Sequence, residues 1–271
     1  MANKTFRGIV HIHSSYSHDG ENDLDELVSI LGRQQLNFAL LTEHVEDLSA
    51  VDFEHYVERC QSLSTDDLLL VPGLEYTFED ESKRIEILVF GREAYINAVD
   101  IDQIWSHKKK HDLLAILPHP RKLGKTVKII EPFYDLIEVW NLRFDGGYFL
   151  PKDNWELFEE LRRKKEIYAV GGVDYHNLSD RIDLVVVLKE LEDLDSTPLL
   201  QTLKEGRFHT EYRGLCLRSD LQMVQWKRAV RLFGRLVRRC IYHTGRIVGH
   251  STMGNILIST DVRRRVGRWV K

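Results

Sequence analysis

Histidines and carboxylates recur in six short blocks of this chain: His11-Ile12-His13, Thr42-Glu43-His44, Gly73-Leu74-Glu75, Pro118-His119-Pro120, Glu138 and Asp174-Tyr175-His176. His11 and His13 stand two apart after an apolar run, so on a strand both imidazoles face one side and can bind one ion. Asp19 follows in a Ser/Gly-containing turn, with His18 beside it as a rival donor. Glu75 follows Gly73, where a carboxylate can bridge two ions. Asp174 and His176 repeat the two-apart spacing behind Gly171-Gly172. Any one block is ordinary; an isolated His-x-His or Thr-Glu-His is more often accidental than a ligand pair. Six in order point to a converging metal centre. A mixed nitrogen and oxygen donor set suits Zn, Mn or Fe and lacks the thiolates of a structural zinc site. More than four donors implies more than one ion, and such centres activate water and clamp the oxygens of a phosphate ester.

These residues must be brought together by the elements that carry them. Strand-like runs are Gly8–His13, Phe38–Thr42, Leu68–Val71, Ile85–Phe90, Leu113–Leu117, Leu136–Trp140, Ile167–Val173 and Leu184–Leu188. Between them lie amphipathic stretches. Leu24, Leu27, Val28 and Leu31 share a helical face with Asn22 or Asp23 placed to cap it. Trp155, Leu157, Phe158 and Leu161 mark another, ending in four basic residues that suit a helix C-terminus. Strand and helix in alternation predict parallel βαβ units. Donors at the ends of nearly every strand favour a barrel over an open doubly wound sheet, whose ligands gather at one switch point. Residues 191–212 are expected to close this region with Pro198 and a short helix.

The chain has 271 residues and a net charge of −4, with 43% hydrophobic and 30% charged residues. That composition predicts a soluble globular protein with a sizeable core. No apolar stretch reaches the length of a membrane span or a signal peptide. Three widely spaced cysteines argue against a disulfide framework and for a reducing, cytoplasmic setting. The charge is unevenly placed. Residues 213–271 hold 14 Lys/Arg and 2 Asp/Glu of the chain's 38 and 42, which leaves the remaining 212 residues with 24 and 40. Two pieces are therefore expected, 1–212 and a basic, mainly helical 213–271. In the second, Trp226, Val230, Phe233, Val237 and Ile241 form an apolar stripe among arginines. Such a helix can pack on the body, bind nucleic acid or lie on an anionic surface.

In motif order the chain resembles the PHP (polymerase and histidinol phosphatase) superfamily. The resemblance rests on His11-Ile-His13-Ser-Ser-Tyr-Ser-His-Asp19-Gly, Thr42-Glu-His44, Gly73-Leu-Glu75, His119-Pro120, Glu138-Val-Trp-Asn141 and Gly172-Val-Asp174-Tyr-His176, and spans roughly residues 7–190. It implies a distorted (β/α)7 TIM-like barrel with two or three divalent ions (Zn, Mn or Fe) at one face. It implies that His11, His13, Glu75 and Asp174 hold a first ion, that Glu75 bridges to a second also held by His119, and that Asp19, His44 and His176 hold a third. A hydroxide bridging the first two ions would attack phosphorus, with His176 or His44 assisting proton transfer. The chain departs from the pattern at Glu86, where many members carry a histidine; Glu86 is the expected replacement ligand and would make the second site harder.

A phosphate also needs cationic partners. Arg121 and Lys122 directly follow His119-Pro120, and Arg143 follows Asn141, so these are the candidate substrate contacts, with Lys83 and Arg84 behind them. The expected activity is hydrolysis of a phosphorylated small molecule. The alternatives are a nuclease that uses residues 213–271 to hold nucleic acid, and a non-catalytic scaffold of the same fold. His55, His107, His111, His209, His243 and His250 read as ordinary surface or core histidines.

Overall fold

The computed structural model describes residues 4–80, 83–98, 100–120, 133–147 and 150–221. Arg121, Lys122, Cys240, His243, His250 and the amphipathic helix expected from Leu221 onward thus lie wholly or almost wholly outside the described residues. The described residues form a mixed α/β structure with two six-stranded sheets. The first has the order β12-β11-β10-β1-β2-β4 and the second β3-β5-β6-β7-β8-β9. The strands are β1 (Lys4–Ile12), β2 (Phe38–Leu41), β3 (Glu43–His44), β4 (Leu69–Val71), β5 (Gly73–Asp80), β6 (Lys83–Phe90), β7 (Leu114–Leu117), β8 (Leu136–Asn141), β9 (Tyr168–Gly172), β10 (Leu184–Leu191), β11 (Phe208–Tyr212) and β12 (Leu215–Arg218). The helices are α1 (Leu24–Arg33), α2 (Ala50–Leu63), α3 (Ile101–His111), α4 (Leu142–Asp145), α5 (Lys152–Arg162) and α6 (Ser196–Lys204).

The expectation of uniformly parallel βαβ units needs correction. β1–β2, β2–β4, β3–β5, β7–β8 and β8–β9 are parallel, but β5–β6, β6–β7, β1–β10, β10–β11 and β11–β12 are antiparallel. For the β5–β6 pair the physical reason is connection length. Only two sequence positions separate β5 from β6, far too few for the crossover a parallel pair needs. Pro198 does fall in a short helix, α6, but two further strands follow it. The 212/213 charge boundary lies in the turn between β11 and β12.

The helices form where their ends are satisfied. The Asp23 side chain accepts from the Glu26 amide, while Glu26 reaches back to the Asp23 N–H, giving α1 a capping box. Ser49 and Asp52 do the same for α2. The apolar core is built from inward residues of the strands and α6, among them Val10, Phe38, Leu40, Ile116, Leu136, Val170, Val186, Leu188 and Leu199. Each such side chain contributes roughly 1.5–3 kcal/mol by leaving water. Beyond the end of β9, Val173 donates to the Val10 carbonyl, Tyr175 to that of His11, and His13 to that of Tyr175. These bonds tie the chain after β9 to the end of β1. No helix of the described residues is long and apolar enough to cross a membrane.

Candidate metal centre

The metal-ligand residues expected from the sequence converge. His11 lies at the end of β1 and His13 directly follows it, and their rings lie 5.3 Å apart. The ladder to β2 slips between Val10 and Ile12, and His11 takes φ +72°. His44 and Glu75 are register partners in the parallel β3–β5 pair, so a short strand places an imidazole directly beside a carboxylate. His119 follows β7, and Asp174 and His176 follow β9. His119 (φ +25°) and Asp174 (φ +55°) share with His11 a left-handed backbone that L-residues avoid. At a non-glycine position it costs about 1–2 kcal/mol, so three donors are held at strained backbone positions.

His11, His13, His44, Glu75, Glu86, His119, Asp174 and His176 are all buried. Glu75 lies at the middle of the set. Its Oε2 is 3.6 Å from His11 Nε2, 3.4 Å from His13 Nε2 and 3.7 Å from His44 Nδ1; its Oε1 is 3.5 Å from His119 Nε2. Asp174 Oδ1 is 3.5 Å from both His11 Nε2 and His176 Nδ1. Asp19 stands at the rim, about a third exposed, 3.3 Å from His44 Nε2 and 2.9 Å from His176 Nε2. His18 turns instead to Asp47, its Nδ1 2.8 Å from Oδ2. Glu86 lies between Arg84 and His119, 3.4 Å from His119 Nδ1.

Four groups of these side chains place one donor atom each within 4.8 Å of one another: His13 with Asp19, His44 and His176; His11 with His119 and Asp174; His11 with His13 and Glu75; and Glu75 with Glu86 and His119. The donors fit cations. His11 Nε2, His13 Nε2, His44 Nδ1 and His119 Nδ1 are buried with no hydrogen-bond partner among the described residues, an arrangement that folded proteins avoid unless something binds there. Buried carboxylates likewise require positive charge nearby. Burial alone would raise the Glu75 pKa, but the contacts with His11 and His119 hold it well below the usual carboxylate range. Burial, with the neighbouring histidines, pushes His13 well below the ordinary histidine value, although Glu75 opposes them. Burial pulls His11 down too, yet the charges of Asp174 and Glu138 outweigh it and raise His11 well above the ordinary histidine value.

Sequence reasoning named Glu138 and Glu43 within their blocks without giving either a task. Glu138 Oε1 is 2.9 Å from His11 Nδ1; its Oε2 accepts from the His119 backbone N–H and from Asn141 Nδ2, both at 2.9 Å. A carboxylate on Nδ1 leaves Nε2 of His11 facing inward as a donor. Gly172 makes room for it, since a Cβ there would come within 1.9 Å of Glu138 Oε1. Glu43 is fully buried and accepts from the hydroxyls of Ser14 and Ser17, both at 2.6 Å, and from the Ser14 N–H. Ser17 Oγ in turn accepts from the His44 N–H at 2.9 Å. Burial raises the Glu43 pKa against these hydrogen bonds. The serines between His13 and Asp19 were the available signal for this buttress.

Of the candidate phosphate contacts, Arg143 is at the centre: Nη1 lies 3.1 Å from His176 Nδ1 and 2.9 Å from Asp180 Oδ2. Asn141 caps α4 and fixes the start of the helix that carries Arg143. Arg84 faces Glu86, and the two sequence neighbours Arg121 and Lys122 are outside the described residues.

No family model and no curated protein matches the sequence. Solved structures do match in fold. One is a two-domain protein of Bacteroides vulgatus ATCC 8482 containing a "predicted PHP-like metal-dependent phosphoesterase": 18% identity, 79% of this chain, 67% of that chain, TM-score 0.56. Another is PsfC from Pseudomonas syringae PB-5123: 14% identity, 79% of this chain, 93% of that chain, TM-score 0.53. At these identities the likeness is one of fold. The chain resembles the PHP superfamily in its overall fold as well as in the order of its motifs.

Proposed function

We propose that this chain is a metal-dependent phosphoesterase that hydrolyses a phosphomonoester. The observation that carries the reading is the set of buried imidazole nitrogens that have no hydrogen-bond partner among the described residues and are turned toward Glu75, Asp174 and Glu86. His11, His13, Glu75 and Asp174 would hold one ion, Glu75, Glu86 and His119 a second, and Asp19, His44 and His176 a third. Bound divalent ions supply Lewis acidity toward phosphoryl oxygens and lower the pKa of water. The fold is read as the distorted (β/α)7 barrel, which is supported by the bonds from the chain after β9 to β1. The Bacteroides protein, described as PHP-like, points the same way.

The chain's own residues divide the remaining work. Arg143 offers a planar guanidinium that can hold two phosphate oxygens at once. Its contact with Asp180 orients it, and Arg121 and Lys122 are further candidates of the same kind. His44 and His176 face the partly exposed Asp19, where a leaving oxygen can reach a proton. Glu138 and Glu43 keep these donors in place before substrate arrives, which lowers the reorganisation needed in the reaction.

The test is p-nitrophenyl phosphate hydrolysis by metal-free chain resupplied with Mn or Zn. Metal-restored phosphate release supports the proposal; a chain that binds metal and cleaves no phosphoester contradicts it. The basic residues 213–271 favour a second reading, nucleic acid as substrate. In that case oligonucleotide cleavage falls steeply with salt and on removal of the extension, while small phosphoesters are cleaved as before.

A further inference from the structure

The donor groups differ in kind. His13, His44 and His176 with Asp19 set three imidazoles against one carboxylate, and the two groups containing His11 set two against one. Glu75, Glu86 and His119 reverse the balance, with two carboxylates to one imidazole. Carboxylate oxygen suits Mg and Mn, whereas imidazole suits Zn. Glu86 reaches this group from the antiparallel β5–β6 pair. It is opposite Thr77 and Glu75 is opposite Leu88, so both carboxylates stand on one face of the hairpin.

Arg84 adds a second asymmetry. Two positions before Glu86, it shares that face, and its Nε lies 2.6 Å from Glu86 Oε1, while Glu86 Oε2 faces His119 Nδ1 at 3.4 Å. One carboxylate oxygen is engaged by the guanidinium and the other is turned to the donor group.

We infer that the Glu75–Glu86–His119 subsite takes a harder cation, of the Mn2+ class, than the Asp19–His44–His176 subsite, and that Arg84 presents Glu86 to it through a single oxygen. The inference rests on the metal reading above and is tested separately from it. Metal-free full-length chain is given equal concentrations of Zn2+ and Mn2+ and crystallised. Anomalous scattering at the two absorption edges then counts each metal at each subsite.

The expected result is a Mn:Zn ratio at least about tenfold higher at the Glu86 subsite than at the Asp19 subsite, a difference of about 1.4 kcal/mol. Glu86→His should abolish that difference. Glu86→Gln, which keeps the shape and removes the charge, should reduce it and covers the case in which histidine is not accommodated. Arg84→Gln should tighten Mn2+ binding there, seen as loss of the free-ion signal in electron paramagnetic resonance. Equal ratios at the two subsites, or ratios unmoved by both Glu86 variants, overturn the inference while leaving the metal reading intact. Ions at neither subsite overturn both.

Discussion

The same strands build two interiors of opposite character. β1 gives Val10 to the apolar cluster and His11 to the metal centre. β7 gives Ile116 to the cluster and leads to His119; β8 gives Leu136 and Glu138; β9 gives Val170 and leads to Asp174. Both regions are buried. The apolar one is complete as folded, since its side chains need only each other. The polar one concentrates buried carboxylates and imidazole nitrogens without a hydrogen-bond partner among the described residues, three of the donor residues at strained backbone positions. The comparison teaches that one end of this fold is self-sufficient, while the other gathers groups that are costly to bury, a cost that the proposed cations would offset.

That contrast can be broken from either side. Glu75→Gln removes the carboxylate common to two donor groups. Turnover should fall about 10³-fold, about 4 kcal/mol of transition-state stabilisation, with the far-ultraviolet dichroism spectrum unchanged. Leu40→Ala acts on the opposite interior. It should cost about 2–5 kcal/mol in urea unfolding, by the same amount with and without chelator, because the cluster owes nothing to ions.

Smaller effects sharpen the division. Glu138→Gln leaves every donor atom in place and disturbs only the orientation of His11 and His119. Calorimetric titration should show metal affinity lower by about 10–100-fold, with full occupancy at saturation. Asp23→Ala removes the cap of α1, just beyond the turn that carries Asp19. The expected loss is about 1 kcal/mol of stability with little change in metal affinity. The smallest effect is on the acid side. The Ser49 hydroxyl and N–H hold the Asp52 carboxyl below its usual range. Its contribution is therefore present above the unfolded carboxylate pKa and lost as the pH falls through the lowered folded value. Unfolding curves against pH should converge there for wild type and Asp52→Asn.

Much of this was legible because donors at strand ends leave a mark in the sequence. Apolar runs such as Phe38–Leu41 and Leu114–Leu117 are buried in full, so their composition reports them directly. β5 was not, because Gly73-Leu-Glu-Tyr-Thr-Phe-Glu-Asp offers no continuous apolar run; its Glu75 is buried in the centre while Glu79, on the same face, is exposed. β3 has two residues, too few for any periodicity. β11 and β12 are short, mixed strands, and β12 lies beyond the expected end of the body at residue 212. The tasks of Glu43 and Glu138 could not be read at all, since a buried carboxylate that braces a histidine has the same sequence signature as one that binds an ion. Only the distances to Ser14, Ser17, His11 and Asn141 separate the two.

The central claim is that the polar interior is a cation site. Elemental analysis of full-length chain grown in metal-supplemented medium, paired with thermal melts before and after chelation, tests it most directly. The account predicts about two or three divalent ions per chain and a clear fall in melting temperature when they are stripped. A chain that carries no ions above background and melts identically in chelator contradicts it.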